Sequence, residues 1–184
     1  MTRNLFLGVS LASFCVLFAA DGPAPQPLGK IFDNQIHGVE GEVVSLAEAM
    51  PAELFDFAPT QGEFKGVRTF AQQMKHIATV NYMVSAAALG EKSPVEAGQD
   101  ENGAPAIKGK EAVVKYLKDS FVYARKAAAG MTAANMLDPM PSPFGSQKTT
   151  RIALVSLIAS HSFDHYGQAV VYARMNKIVP PASR

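Results

Sequence analysis

Apolar residues recur with the spacing of an α-helix in four separate segments of the chain. The first stripe consists of Phe32, Ile36, Val39, Val43, Leu46 and Met50. Steps of three or four residues place these side chains on one face of a helix. Similar stripes run from Val67 to Leu89, from Val114 to Ala128 and from Leu154 to Tyr172. No segment shows the alternation between hairpin turns that is typical of a strand. The sequence therefore predicts an all-α fold, a four-helix bundle.

Proline, glycine and threonine mark the ends of these helices. Pro51 follows the first stripe, Gly90 the second and Gly130 the third, as expected where helices stop. A threonine at 149–150 is the expected N-cap of the last helix, which should end near Asn176.

Two long connections separate the predicted helices. Residues 91–109 and 131–147 are polar and rich in proline and glycine, and we interpret both as surface loops. Either loop is long enough to cross an end of the bundle, so a simple up-down-up-down order is not required.

The N-terminus has the layout of a secretory signal. One cation, Arg3, precedes an apolar run from Leu5 to Ala20, and this run is shorter than the roughly 20 residues of a membrane-spanning helix. We predict a signal peptide over residues 1–20, a leader over 21–30 and a single bundle domain over 31–184. The mature protein is then expected to be secreted or periplasmic.

Removal of residues 1–20 would leave a neutral chain without cysteine. The full sequence has 17 basic and 16 acidic residues, and the segment removes Arg3 and no acid, which leaves 16 of each. Cys15, the one cysteine, is removed as well. The mature chain therefore offers no disulfide and no thiolate ligand. It also lacks the basic excess that would indicate a nucleic-acid partner.

Two of the four histidines lie one turn apart in the last predicted helix. His161 and His165, in the stretch HSFDHYGQ, belong to the apolar stripe of that helix and should point into the core. Buried imidazoles need polar partners. A single metal ion would satisfy both rings, but so would hydrogen bonds to Tyr, Ser or Asp side chains. His76, in QQMKHIATVNY on the second helix, is the candidate third ligand, whereas His37 lies in a polar stretch and should be at the surface.

Several more specific enzyme motifs are absent from the sequence. Ser162 stands where an H-E-x-x-H zinc peptidase carries its general-base Glu, and we expect this serine to have a packing role. The sequence has no E-x-x-H pair for a di-iron site and no glycine-rich phosphate loop.

Three stretches of the chain resemble the DinB/YfiT-like family of metalloenzymes. They are FKGVRTFAQQMKHIATVNY (64–82), KEAVVKYLKDSFVYARKA (110–127) and HSFDHYGQAVVYARMNKIVPPASR (161–184). The most specific features are H-x-x-x-H-Y-G-Q, a later Y-x-R-M-N and the closing PPASR. The chain departs from the family at Lys177, where Gly is frequent, and Asn176 is the residue we expect to take the left-handed cap conformation.

The resemblance implies a four-helix bundle that binds one divalent metal ion through a histidine triad. Carried over position by position, the triad is His76, His161 and His165. Zinc is the first expectation for the metal, with nickel, iron or manganese as alternatives.

Two classes of function follow from such a triad. Studied members of the family are thiol-dependent transferases and isomerases, so the resemblance implies a small-molecule substrate and a low-molecular-weight thiol partner. An oxidising compartment is poor in such thiols, which keeps hydrolysis by a metal-bound water open. A non-catalytic metal-binding or partner-binding bundle is the other class, and a homodimer is left open. Asp164 and Gln168 are candidate contacts near the pair or solvated residues, and Tyr172 is expected in the core.

Overall fold

The computed structural model describes residues 26–184. The predicted signal peptide, residues 1–20, lies outside the described residues, and its export role stays a prediction. The helices are α1 (Leu28–Ala49), α2 (Phe70–Leu89), α3 (Lys110–Ala129) and α4 (Arg151–Met175). Short 3-10 turns cover Ala52–Leu54, Gln99–Glu101 and Pro181–Ser183, and two strands are β1 (Pro139–Pro141) and β2 (Lys148–Thr150).

The four helices form the predicted bundle. Helix α1 packs against α3 and α4, and α2 packs against the same two helices. Helices α1 and α2 therefore lie diagonally across the bundle, and the connection between them, residues 50–69, crosses one end. None of the helices within residues 26–184 combines the length and apolarity needed to span a bilayer.

Local sequence signals fix the ends of the two helices that matter most for the site. The Thr69 side chain accepts a hydrogen bond from the Gln72 amide, while the Gln72 side chain accepts one from the Thr69 amide, which is a capping box. At the other end of α2, Gly90 has a φ of 73° and closes the helix in the left-handed conformation. Helix α4 begins after Thr150, whose hydroxyl accepts from the Ala153 amide. These caps fix both ends of α2 and the start of α4.

A small hairpin was not anticipated from the sequence. Strands β1 and β2 pair antiparallel, with Pro139 opposite Thr150, Met140 opposite Thr149 and Pro141 opposite Lys148. Three-residue strands are too short to show alternation, and the buried Met140 is the one side chain that fastens β1 to the core.

The C-terminal cap of α4 also differs from the expectation. Lys177 has a φ of 61°, whereas Asn176 has a φ of −96°. The left-handed residue is therefore the one at the position where the family often has Gly. The Asn176 side chain instead donates a hydrogen bond to the Tyr172 carbonyl, one of the last carbonyls of the helix.

Candidate metal centre

Three histidines from α2 and α4 converge inside the bundle. One ring nitrogen from each of His76, His161 and His165 lies within 4.8 Å of the other two. Within the described part of the chain, this is the one group of three or more His, Cys, Asp or Glu residues close enough to share an ion. His76 and His165 are buried, with 6% and 7% of their surface exposed, and His161 is half-buried. The sequence-predicted triad is therefore brought together in space.

The partner of His76 determines which of its nitrogens is free. Its Nδ1 lies 3.2 Å from the carbonyl oxygen of Glu101. A carbonyl oxygen only accepts, so Nδ1 carries the proton and Nε2 keeps its lone pair. Glu101 thus orients the ring through its backbone, as neighbouring groups commonly orient metal-binding histidines.

A chain of hydrogen-bonded side chains orients the His165 ring and determines which of its nitrogens carries the proton. Gln168 donates from Nε2 to Asp164 Oδ2 over 3.2 Å, and its Oε1 accepts from Gln73 Nε2 over 3.0 Å. The Oε1 of Gln73 then accepts from His165 Nδ1 over 2.6 Å. The Asp164 carboxylate can only accept when ionised, which fixes the direction of every bond in the chain. His165 therefore carries its proton on Nδ1 and presents Nε2 as a donor atom.

The third ring completes a donor set that fits a divalent metal. His161 Nε2 lies 3.2 Å from His76 Nε2, close to the roughly 3.3 Å between two nitrogens of a tetrahedral zinc site with Zn–N bonds of about 2.0–2.1 Å. Without an ion, the contact is a single hydrogen bond from His161 to His76. His161 Nδ1 is buried and has no partner within residues 26–184.

All three imidazoles favour the neutral form that binds metal. Burial lowers the pKa of His161 to about 3, with the neighbouring His165 and His76 rings adding to the effect. Burial also lowers the pKa of His165 to about 4, against an opposing contribution from Asp164. The pKa of His76 is lowered by burial and then by the charge of Arg68. Protons therefore compete weakly with a metal at neutral pH.

The metal-free protein should lose stability as the pH falls below about 6.5. In the unfolded chain His161 and His165 titrate near 6.5, but in the folded chain they stay neutral down to about 3 and about 4 respectively. The unfolded state therefore binds more protons in this window. The free energy of unfolding then rises with pH by about 1.4 kcal/mol per pH unit for each such histidine. Denaturant titrations of metal-free protein at several pH values should show a shallower slope in His161→Leu than in the parent chain.

Groups other than His161 titrate in both proteins, so the difference between the two slopes isolates this ring. Equal slopes for the parent chain and His161→Leu would contradict the assignment of a buried neutral imidazole at position 161.

An open cleft lies beside the groups that orient the triad. It has a volume of about 430 Å³ and is lined by residues that include Arg68, Gln73, Glu101 and Gln168. Gln73 and Glu101 are the direct hydrogen-bond partners of His165 and His76. A small molecule in the cleft would therefore lie beside the groups that hold the rings in place.

Of the other residues considered in the sequence, His37, Tyr172 and Ser162 are not part of the triad cluster, and Gln168 and Asp164 lie beside it. His37 is at the surface as expected, with its side chain 68% exposed, and Tyr172 and Ser162 are buried in the core. Gln168 takes part in the chain that orients His165. Asp164 ends that chain, and its Oδ2 lies 3.9 Å from His165 Nε2 on a side chain that is 68% exposed.

Sequence reasoning did not assign roles to three residues of the site. Gln73 lies one turn before His76 on α2, so helical spacing could have shown that the two share a face. Glu101 acts through a carbonyl oxygen that every residue possesses, and Arg68 lies in a loop. No pattern in the sequence distinguishes these last two.

The fold and the site together define a class of protein, a four-helix bundle with a three-histidine cluster between its second and last helices. A family model described as the DinB superfamily matches residues 35–169. The chain belongs to the DinB superfamily, and the resemblance stated from its sequence is confirmed.

Solved structures agree with this assignment at the level of the fold. A DinB-like protein from Bacillus cereus ATCC 10987 is 16% identical with a TM-score of 0.65, and the match covers 83% of this chain and 95% of that one. A DinB-like protein from Bacillus subtilis is 18% identical with a TM-score of 0.60, covering 80% and 92%. No curated protein matches the chain significantly in sequence.

Proposed function

We propose that the protein binds one divalent metal ion through His76, His161 and His165 and acts on a small molecule held in the adjoining cleft. The supporting observation is the orientation of the rings. Two of the three have Nδ1 bonded to an oxygen that can only accept from them, so their Nε2 lone pairs are available to the same ion. Zinc fits a set of three neutral imidazoles, and nickel, iron or manganese are the alternatives.

A bound ion would act as a Lewis acid on the substrate atom that lies next to the triad. The residues of this chain contribute the surroundings of that atom. Gln73 and Glu101 keep the rings in fixed orientations, because each accepts an Nδ1 proton. The protein walls exclude part of the solvent, which strengthens electrostatic interactions with a substrate. A metal-dependent transferase or hydrolase is the class of enzyme that this arrangement supports, and a small thiol is one candidate reactant for the transferase.

The open cleft favours this function over a purely structural metal site. A structural zinc site has four protein ligands, whereas the cluster supplies three. The Asp164 carboxylate, 3.9 Å from His165 Nε2, accepts a hydrogen bond from Gln168.

Metal analysis and cobalt substitution test the proposal. Elemental analysis of the purified protein should give about one divalent metal per chain. The visible spectrum of the cobalt-substituted form should change when a small thiol or azide is added, because a three-ligand site has an exchangeable position. His37→Ala, at a surface histidine of α1, is the matched control and should respond as the parent does.

Two results would argue against the enzyme. Absence of metal from the purified protein, together with failure to take up added zinc or cobalt, would remove the metal centre. Full metal content with a spectrum that no thiol or anion changes would indicate a closed, non-catalytic site.

A further inference from the structure

The cleft beside the triad contains a cation without an acidic partner. Arg68 lines the cleft, and no carboxylate within residues 26–184 forms a salt bridge with it. The same cleft is lined by Gln73 and Glu101, which are the hydrogen-bond partners of His165 and His76. Because a cation opposes a divalent ion bound nearby, Arg68 is not expected to serve the metal itself.

The position of Arg68 is fixed from two sides. The Tyr172 hydroxyl of α4 donates to the Arg68 carbonyl oxygen over 3.0 Å. The guanidinium donates from Nε to Asn102 Oδ1 over 3.1 Å and from Nη2 to the Asp100 carbonyl over 2.8 Å. Both acceptors are uncharged oxygens, so the residue keeps its full charge while its side chain is held in place.

The guanidinium retains capacity for a ligand. An arginine has five N–H donors, and these two hydrogen bonds leave three of them, including both on Nη1. A guanidinium edge with free parallel donors matches the two oxygens of a carboxylate.

The start of α2 does not provide a competing anion site. The amides of Phe70 and Ala71 donate to the carbonyls of Phe57 and Phe55, and the Gln72 amide donates to the Thr69 hydroxyl. These amides are already paired, and among residues 26–184 Arg68 is the one cationic residue that lines the cleft.

The charges around the cleft make its preference depend on an ion at the triad. Asp100 and Glu101 are also among the residues that line the cleft, and against one arginine they give a formal charge of −1. A divalent ion would change this to +1. An anionic group in the cleft would then meet a favourable net charge.

We propose that Arg68 is a specificity-determining residue that binds a carboxylate of the substrate, so that the cleft selects small molecules with one anionic group for Arg68 and a reacting end at the triad. This inference rests on the proposed function, since it takes the triad as the reacting end.

Calorimetric titration of the zinc-loaded full chain tests the proposal with succinate and its monoamide, succinamate. Succinate has one carboxylate for Arg68 and one for the zinc ion, whereas succinamate has an amide in place of one of them. We expect succinate to bind at least about tenfold more tightly, the size of one charge-assisted interaction. The ratio of the two dissociation constants, succinamate over succinate, should fall to about one in Arg68→Met.

Lys75→Met is the matched control. Lys75 is also a cation of this region, and it donates to the Ala104 carbonyl in the same connection. It does not line the cleft, so its loss should leave the succinate ratio unchanged. A ratio that persists in Arg68→Met, or that falls equally in Lys75→Met, would overturn the proposal.

Metal content, measured for every variant, separates the two proposals. If Arg68→Met fails to fold or to hold zinc, the test uses Arg68→Lys, because lysine keeps the charge without the paired donors. A reduced preference for succinate over succinamate in Arg68→Lys supports the proposal, and an unchanged preference overturns it. If the parent chain takes up no metal, the proposed function fails. In that case the affinity for succinate itself decides, measured in the metal-free parent and in metal-free Arg68→Met. Weaker binding by the variant supports a carboxylate site at Arg68, and equal affinity overturns it.

Discussion

Replacing His161 with alanine is expected to lower the affinity for zinc by more than about 100-fold. Loss of a group that only orients a ligand already costs about 10–100-fold, and this substitution removes a ligand itself. Alanine at position 76 or 165 should have an effect of the same order, because all three rings contribute one nitrogen to the cluster. Competition with a chromophoric chelator measures the dissociation constants.

His37→Ala is the control for these three variants. His37 is a histidine of the same chain on α1, and its exposed side chain lies near Glu40 at the surface. Its replacement should leave zinc affinity as in the parent. Full zinc affinity in His76→Ala would show that the triad is wrongly assigned, whatever the other two variants do.

The bundle was predictable because its signals are local. The stripe from Ile36 to Leu46 has the period of a helix, and each of its members is buried. Gly90 ends α2 where the sequence indicated, and Thr150 caps α4. The capping box of Thr69 and Gln72 was also present in the sequence as T-x-x-Q, and it places the start of α2 at Phe70, later than the apolar stripe suggested.

The convergence of the triad was predictable in part. Helical spacing predicts that His161 and His165 share a face, and here both reach the same cluster. The inclusion of His76 came from the resemblance to the family, since its spacing on α2 alone did not show which helix it would face. The structure supplies the reason, which is the packing of α2 against α4.

The loop that completes the site was not predictable from its sequence. Residues 91–109 were expected as a surface connection, and most of them are. Glu101 nevertheless reaches His76 through a backbone carbonyl, and Arg68 holds the residues on either side of it. Such contacts depend on the path of the backbone, and composition carries little information about that path.

This loop has an unusual backbone conformation where it contacts His76. Asp100 and Glu101 have φ values of 52° and 51°, and a left-handed backbone costs about 1–2 kcal/mol for each residue with a side chain. Gly98 also has a positive φ, of 68°, and the loop closes on itself where the Gly103 amide donates to the Ala97 carbonyl. Strain of this kind is often found at functional sites.

Gly98→Ala is therefore expected to weaken zinc binding without unfolding the bundle. A Cβ at position 98 would clash with the carbonyl oxygen of Gly103, and the loop has to open to relieve it. The Glu101 carbonyl then moves away from His76 Nδ1, so the ring loses the partner that fixes its tautomer. We expect zinc affinity to fall by about 10–100-fold, measured by chelator competition, with a circular dichroism spectrum as helical as that of the parent.

Gly109→Ala separates this effect from backbone strain alone. Gly109 belongs to the same connection and has a φ of 78°, but a Cβ there would meet no atom within 4 Å. Both variants carry the cost of a left-handed alanine, and only Gly98→Ala disturbs the segment that touches His76. A similar loss of zinc affinity in both would assign the effect to general loosening of residues 91–109. Parent affinity in Gly98→Ala would mean that the Glu101 carbonyl does not hold His76 for the metal.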